Sequence, residues 1–144
     1  MIQEEKELLL KDLCSRLNTN LVCSIYRIDD QEIGYRNEVL HGYYMFNTGY
    51  EFYFGEDCGI MIDNISKIKP YLFPLSSMTK EQKNECLKGT SLEISKYNEI
   101  YGYNEYTDLE YYLKVIDWLN SHHFDFRGLI ENELAIDATG LNIY

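Results

Sequence analysis

The stretch HHFDFRGLI, residues 122–130, gathers two of the three histidines of the chain beside Asp125, Arg127 and Gly128. Read as extended backbone it alternates, with His123, Asp125 and Arg127 pointing to one side and His122, Phe124 and Phe126 to the other. A carboxylate between cationic or potentially cationic neighbours raises a histidine pKa and orients its ring. Three chemistries can be built on that. His123 and Asp125 could ligate a metal with a third group such as His41 or Asp57. His122 or His123 could serve as a general base oriented by Asp125, with Arg127 steadying an anionic transition state, as in a hydrolase or phosphodiesterase. Arg127 and Gly128 could also bind a small anion without chemistry. Against these stands a plain structural reading, in which two histidines near the carbonyl end of a helix, where a cation is favoured, precede a short strand with an apolar and a wet side. The alternation gives the cluster a structural cause, and metal sites show tighter ligand spacing than this. The plain reading is therefore preferred, no catalytic residue is assigned, and no metal or cofactor is expected.

Familiar catalytic frameworks are missing from the rest of the sequence. It contains no GxSxG elbow, HExxH helix, GxxxxGK[ST] loop or GxGxxG turn. The four cysteines, Cys14, Cys23, Cys58 and Cys86, include no CxxC pair, so neither a zinc ribbon nor a dithiol redox motif can be read, and free thiols in a reducing cytoplasm are expected. The N-terminal segment lacks a basic stretch and a small-residue cleavage site, and no run of about 20 apolar residues occurs. The expected location is cytoplasmic, with no membrane contact.

Charge narrows the partners. The 24 acidic and 13 basic residues leave a formal net charge of −11. Phosphate backbones are repelled by such a surface, and the Lys and Arg residues are dispersed, so direct nucleic-acid binding is not expected. Residues 37–66 carry five acids and residues 97–113 four, with no Lys or Arg in either window. A basic partner suits that pattern. The second window overlaps YNEIYGYNEYTDLEYY, residues 97–112, which holds six of the fourteen tyrosines. Tyrosine offers a large rigid contact area with a polar tip, so Tyr97, Tyr101 and Tyr103, with Glu99 and Glu105, form a candidate docking surface. Carboxylates spaced like phosphates would make a DNA mimic, a third reading that spacing in sequence does not establish.

The elements that must position these groups follow from periodicity. Leu9, Leu10, Leu13, Cys14 and Leu17 recur at helical spacing over residues 3–17, and NTN stops the helix. From Leu21 the pattern becomes that of strands in LVCSIYRI, VLHGYYMF, YEFYF and CGIMI, each closed by a turn signal. KPYLFPLSSMTKEQ then marks the change from sheet to helix. Thr79 and Gln82 form a capping-box pattern for a helix over about 80–88. Thr107 with Glu110 suggests a second box, with Tyr106 and Tyr111 as a staple. The broad apolar surface of Leu109, Tyr112, Leu113, Ile116 and Leu119, flanked by Tyr111, Val115 and Trp118, predicts a helix largely covered by the sheet. The expectation is one α+β domain spanning residues 1–144: an N-terminal helix, an antiparallel strand meander or small curled barrel, two further helices and a C-terminal strand.

At KPYLFPLSSMT, DWLNSHHFDFRGLI and LLLKDLCSRL the sequence resembles a group of small hypothetical proteins encoded by phages and prophages of gut anaerobic bacteria. The resemblance spans the beginning and most of the second half of the chain and implies a phage-associated, cytoplasmic context. It assigns no residue a role. Together these readings favour a non-enzymatic interaction factor that binds a host protein through an acidic, tyrosine-bearing surface, with no oligomeric state expected in particular. A small hydrolase, phosphodiesterase or anion-binding protein built on His123, Asp125 and Arg127 is the alternative.

Overall fold

The structure, a computed structural model, describes residues 1–28, 33–46, 49–55, 60–62, 64–88 and 105–144. Helix α1 (Gln3–Ser15) precedes strands β1 (Val22–Ile28), β2 (Ile33–Phe46), β3 (Gly49–Phe54), β4 (Ile60–Ile62) and β5 (Ile68–Pro74). Two helices follow, α2 (Lys80–Cys86) and α3 (Glu105–Ser121), and then two very short strands, β6 (Phe124–Asp125) and β7 (Ile136–Asp137). The fold is α+β, as expected. Strand order is β4-β3-β2-β1-β5-β6, with β7 also paired to β5. The first five strands pair antiparallel, while β6 and β7 run parallel to β5. Among the described residues the two ends of this order do not meet, so the meander is an open mixed sheet rather than a closed barrel.

Alternation along the strands sets the core. Leu9 and Leu13 of α1 are fully buried against Cys23 and Ile25 of β1, Leu40 of β2, Phe52 and Phe54 of β3, and Ile68 and Leu72 of β5. Phe73, next to Leu72 and therefore on the opposite face, joins a second cluster with Cys86 of α2, Leu119 and Trp118 of α3, and Phe124. α1 thus covers one face of the sheet, and α2 and α3 close over the β5–β6 end from the other side.

Strand β2 is 14 residues long and changes partner midway. Its first half pairs with β1, from Ile33 against Ile28 to Val39 against Val22, and its second half pairs with β3. Between Leu40, opposite Phe54, and Gly42, opposite Tyr53, one residue, His41, is left over as a bulge.

The change from sheet to helix falls within KPYLFPLSSMTKEQ, as expected: β5 runs through both prolines, with Pro70 at the end of its pairing with β1 and Pro74 as the last residue of the strand, positions where a missing N–H costs little. Three expectations need correction. Helix α3 begins at Glu105, so Thr107 lies inside its first turn and does not cap it. Nor is α3 largely covered. Leu109, Tyr112 and Leu113 are 63%, 61% and 53% exposed, because β6 beneath it is only two residues long and gives a packing surface to the C-terminal turns alone. Finally, the strand expected over residues 122–127 is reduced to residues 124–125.

Candidate functional site

The polar centre of the molecule starts on α1. Asp12 and Arg16 are one helical turn apart beside Leu9 and Leu13, and both are 0% exposed. Arg16 Nε donates to Asp12 Oδ2 at 2.8 Å, its Nη2 to the Phe124 carbonyl at 2.8 Å and its Nη1 to the Asn120 carbonyl at 3.3 Å. The other carboxylate oxygen of Asp12 accepts from Arg127 Nη1 at 2.8 Å, and the same nitrogen reaches Ser15 Oγ at 3.2 Å. Two guanidinium groups therefore share one buried carboxylate, with the Phe126 ring 4.2 Å from Arg127 and 5.6 Å from Arg16. The network ties α1 to the end of α3 and to the segment after β6. A buried charge is tolerated only when paired and hydrogen-bonded, and here the donors are used on protein acceptors.

Asp125 is equally committed. Its Oδ1 accepts from the backbone N–H of Leu129 at 2.9 Å and of Arg127 at 3.3 Å, and its Oδ2 from that of Ile130 at 2.8 Å. The carboxylate thus folds the loop after β6 around itself, with Gly128 at φ +74° making the turn. Asp125 supports the backbone rather than either histidine.

His123 is not extended. It follows the end of α3 in the left-handed region, φ +59°, where glycine is the usual residue. It is buried, its ring stacks on Tyr144 at 4.0 Å, and its Nδ1 has no hydrogen-bond partner among the described residues. Burial, then the neighbouring Arg16 guanidinium and the His122 ring, lowers its pKa to about 4. His122 stacks on Trp118 at 3.9 Å, with Nδ1 2.9 Å from the Trp118 carbonyl. An oxygen that can only accept puts a proton on Nδ1.

Both histidines line an open cleft of about 470 Å³ with Ser77, Thr79, Ser121 and Tyr144. No carboxylate, Lys or Arg side chain is among its described lining residues. His122 and His123 are brought together there, while Asp125 and Arg127 are drawn into the fold. The four candidates therefore do not converge on one pocket. His41 sits exposed at the β2 bulge, Asp57 lies outside the described residues, and no group of three metal-ligating side chains occurs among the described residues.

Comparison with family models, with curated proteins and with solved structures finds no match to the chain.

The candidate docking residues Tyr97, Glu99, Tyr101 and Tyr103 lie outside the described residues, and Glu105 is the first residue of α3. A second aromatic surface, which the sequence reading treated only as strands, is described. In the outer half of the β2–β3 hairpin Tyr43 and Met45 share the α1 side with Tyr50 and Phe52. Tyr43 lies 6.2 Å from Phe52 and 6.4 Å from Tyr50, ring to ring. Tyr44 and Phe46 take the other side, with Tyr44 5.1 Å from Tyr53. Tyr44, Met45 and Phe46 are 62%, 70% and 51% exposed. The run of aromatics in GYYMF and GYEFYF was the available signal. No described helix is long and apolar enough to cross a membrane.

Proposed function

We propose that this protein is a non-enzymatic interaction factor that binds a partner protein through the outer half of the β2–β3 hairpin. The observation that carries the reading is the cluster of exposed apolar side chains on both sides of that arm, Tyr44 and Phe46 on one and Met45 on the other. Contiguous exposed aromatics mark contact surfaces more often than they survive as bare solvent faces. The arm belongs to a segment, residues 37–66, with five carboxylates and no Lys or Arg, so the complementary surface is an apolar pocket with a basic rim. Under the sequence resemblance the partner is a host protein and the context a phage or other mobile element. The acidic tyrosines of residues 97–105 belong to the same proposed chemistry.

The alternative, a hydrolase or anion-binding site on His123, Asp125 and Arg127, needs those groups to converge. Asp125 is occupied by three backbone N–H groups and Arg127 by Asp12, which favours the interaction reading. The experiment is affinity capture from a bacterial lysate at low salt, with wild type beside a Tyr44→Ser, Phe46→Ser variant whose fold is checked by circular dichroism. The expected result is a basic protein retained by wild type, released by salt and lost by the variant. Equal retention by both, or no specific retention, would sink the proposal.

A further inference from the structure

The cleft beside the two histidines forms where three segments meet: residues 77–82 leading into α2, residues 121–124 at the end of α3, and the stretch after β7. Its volume, about 470 Å³, lies within the roughly 300–1,000 Å³ of small-molecule sites. An ionised ligand would leave water here with no carboxylate, Lys or Arg in the described lining to compensate it, and that is costly. The lining therefore suits a neutral molecule.

One lining side chain is an aromatic ring fixed from two directions. Tyr144 donates its phenol hydrogen to the Tyr71 carbonyl at 2.6 Å, and the His123 imidazole stacks on it at 4.0 Å and 10°. Tyr144 is nevertheless 45% exposed, so it offers open surface in a set position. His123 carries two costs in reaching its place: a left-handed backbone, φ +59°, and a buried Nδ1 with no partner among the described residues. What they achieve is a rigid support for the Tyr144 ring. Strain and an unpaired polar atom at one cleft residue are features of functional positions.

The polar groups of the lining are already set as donors or acceptors. Ser77 Oγ and Ser121 Oγ donate to the carbonyls of Pro74 and Trp118 at 2.8 and 2.9 Å, so with their hydrogens spent they accept from a ligand. The α2 capping box uses Thr79 Oγ1 and Gln82 Oε1 as acceptors, so what these two residues still offer is the hydroxyl and amide hydrogens. His122 is held by its stack on Trp118 and by Nδ1 against the Trp118 carbonyl. Its Nε2 is the nitrogen left for a ligand, accepting when the ring is neutral and donating when it is protonated. One ligand group, the hydroxyl, meets every one of these, because it both donates and accepts. An aliphatic ligand would leave all of them unpaired, and an aromatic hydrocarbon would cover Tyr144 alone. We propose that this cleft binds a neutral sugar, with the apolar face of one pyranose ring on Tyr144 and its hydroxyls shared among Ser121, His122 and the Gln82 amide. The cleft shares no described residue with the β2–β3 arm, so the inference stands apart from the interaction reading. A free sugar and the terminal unit of a longer glycan present the same chemistry.

The test titrates the full-length protein, isotopically labelled in its tyrosine and histidine rings, with methyl glycosides of glucose, galactose and mannose, and follows the ring signals by NMR. The corresponding uronic acids and amino sugars serve as charged counterparts. The expected outcome is saturable binding of at least one neutral glycoside with shifts at Tyr144 and His122, and binding at least about tenfold weaker for its charged counterparts. Tyr144→Ala and His122→Phe each weaken that glycoside about tenfold, whereas Tyr144→Phe, which keeps the ring, changes its affinity less than about threefold. Circular dichroism checks each fold, and if Tyr144→Ala does not fold, His122→Phe, which keeps the stack on Trp118, carries the comparison. A disaccharide of the best sugar that binds more tightly than the monosaccharide assigns the site to glycan ends, and equal binding assigns it to the free sugar. Wild-type affinity in folded Tyr144→Ala or His122→Phe would overturn the proposal. Equal binding of the charged sugars, shifts confined to residues outside the cleft, or no saturable binding of any neutral glycoside would overturn it as well.

Discussion

Replacing Asp12 by alanine would leave Arg16 buried without its anion and Arg127 with Ser15 and the Phe126 ring but no anion. Truncating one member of a buried pair costs about 3–5 kcal/mol, because the stranded charge dominates. Chemical denaturation of Asp12→Ala should show a loss of that size, against about 1 kcal/mol for Arg127→Ala, which leaves the Asp12–Arg16 pair at 2.8 Å intact. A comparable loss in both variants would mean that Arg127, and not Arg16, is the cation that requires Asp12. His123 carries a different dependence. Its imidazole titrates near 6.5 when unfolded and near 4 in the fold, so between those values the unfolded chain binds more protons than the native one. Its contribution is complete above about pH 6.5 and is lost as pH falls toward 4. Allowing for partial solvent contact, the effect is about 2 kcal/mol. Denaturation at pH 7 and pH 4.5 should therefore show a smaller loss for His123→Phe than for wild type, while carboxylates that titrate over the same interval affect both alike. Identical losses would remove His123 from the acid response.

At the scale of elements, local signals were read correctly where they were complete within a few residues. Thr79 Oγ1 accepts from Gln82 N–H at 3.2 Å and Gln82 Oε1 from Thr79 N–H at 2.9 Å, the reciprocal box that the sequence implied for α2. Thr79→Ala should destabilise by about 1 kcal/mol, and Thr79→Ser by much less, in thermal unfolding. The same pattern at Thr107 misled, because helix α3 starts two residues earlier and the Ser or Thr of a box acts only from the position just before the first helical residue. Strand β2 was read from Val39 onward, since Arg36, Asn37 and Glu38 interrupt its apolar pattern, yet pairing with β1 holds them extended. The parallel partners of β5 were illegible for a simpler reason: two residues are too few to show a period. His123 was placed on a strand because nothing in its side chain announces a left-handed backbone; a glycine there would have signalled the helix end.

Across the whole molecule, the sequence disclosed chemistry more readily than partnership. Asp12 and Arg16 stand one turn apart beside the leucine stripe of α1, a spacing the sequence reading passed over, because their meaning depends on Arg127, more than a hundred residues away in the chain. Asp125 and Arg127 looked like half of an active site; instead Arg127 fastens the segment after β6 to α1, and Asp125 folds that segment around its carboxylate. Charge was legible at once, whereas the two sides of the aromatic arm needed the strand register that pairs Tyr43 with Phe52 and Tyr44 with Glu51. The bulge at His41 has a consequence for that arm. Leu40 and Tyr43 are three residues apart, an odd step, yet both lie on the side of the sheet that faces α1. A strict strand starting from Leu40 would have sent Tyr44 and Phe46 inward and Tyr43 and Met45 out. The surplus residue shifts the phase of the strand, like a skipped tooth on a rack, so that the body and the arm can each keep an inner side. Deleting His41 would preserve those sides and remove the extra local twist. The arm would then display the same residues along a different bearing.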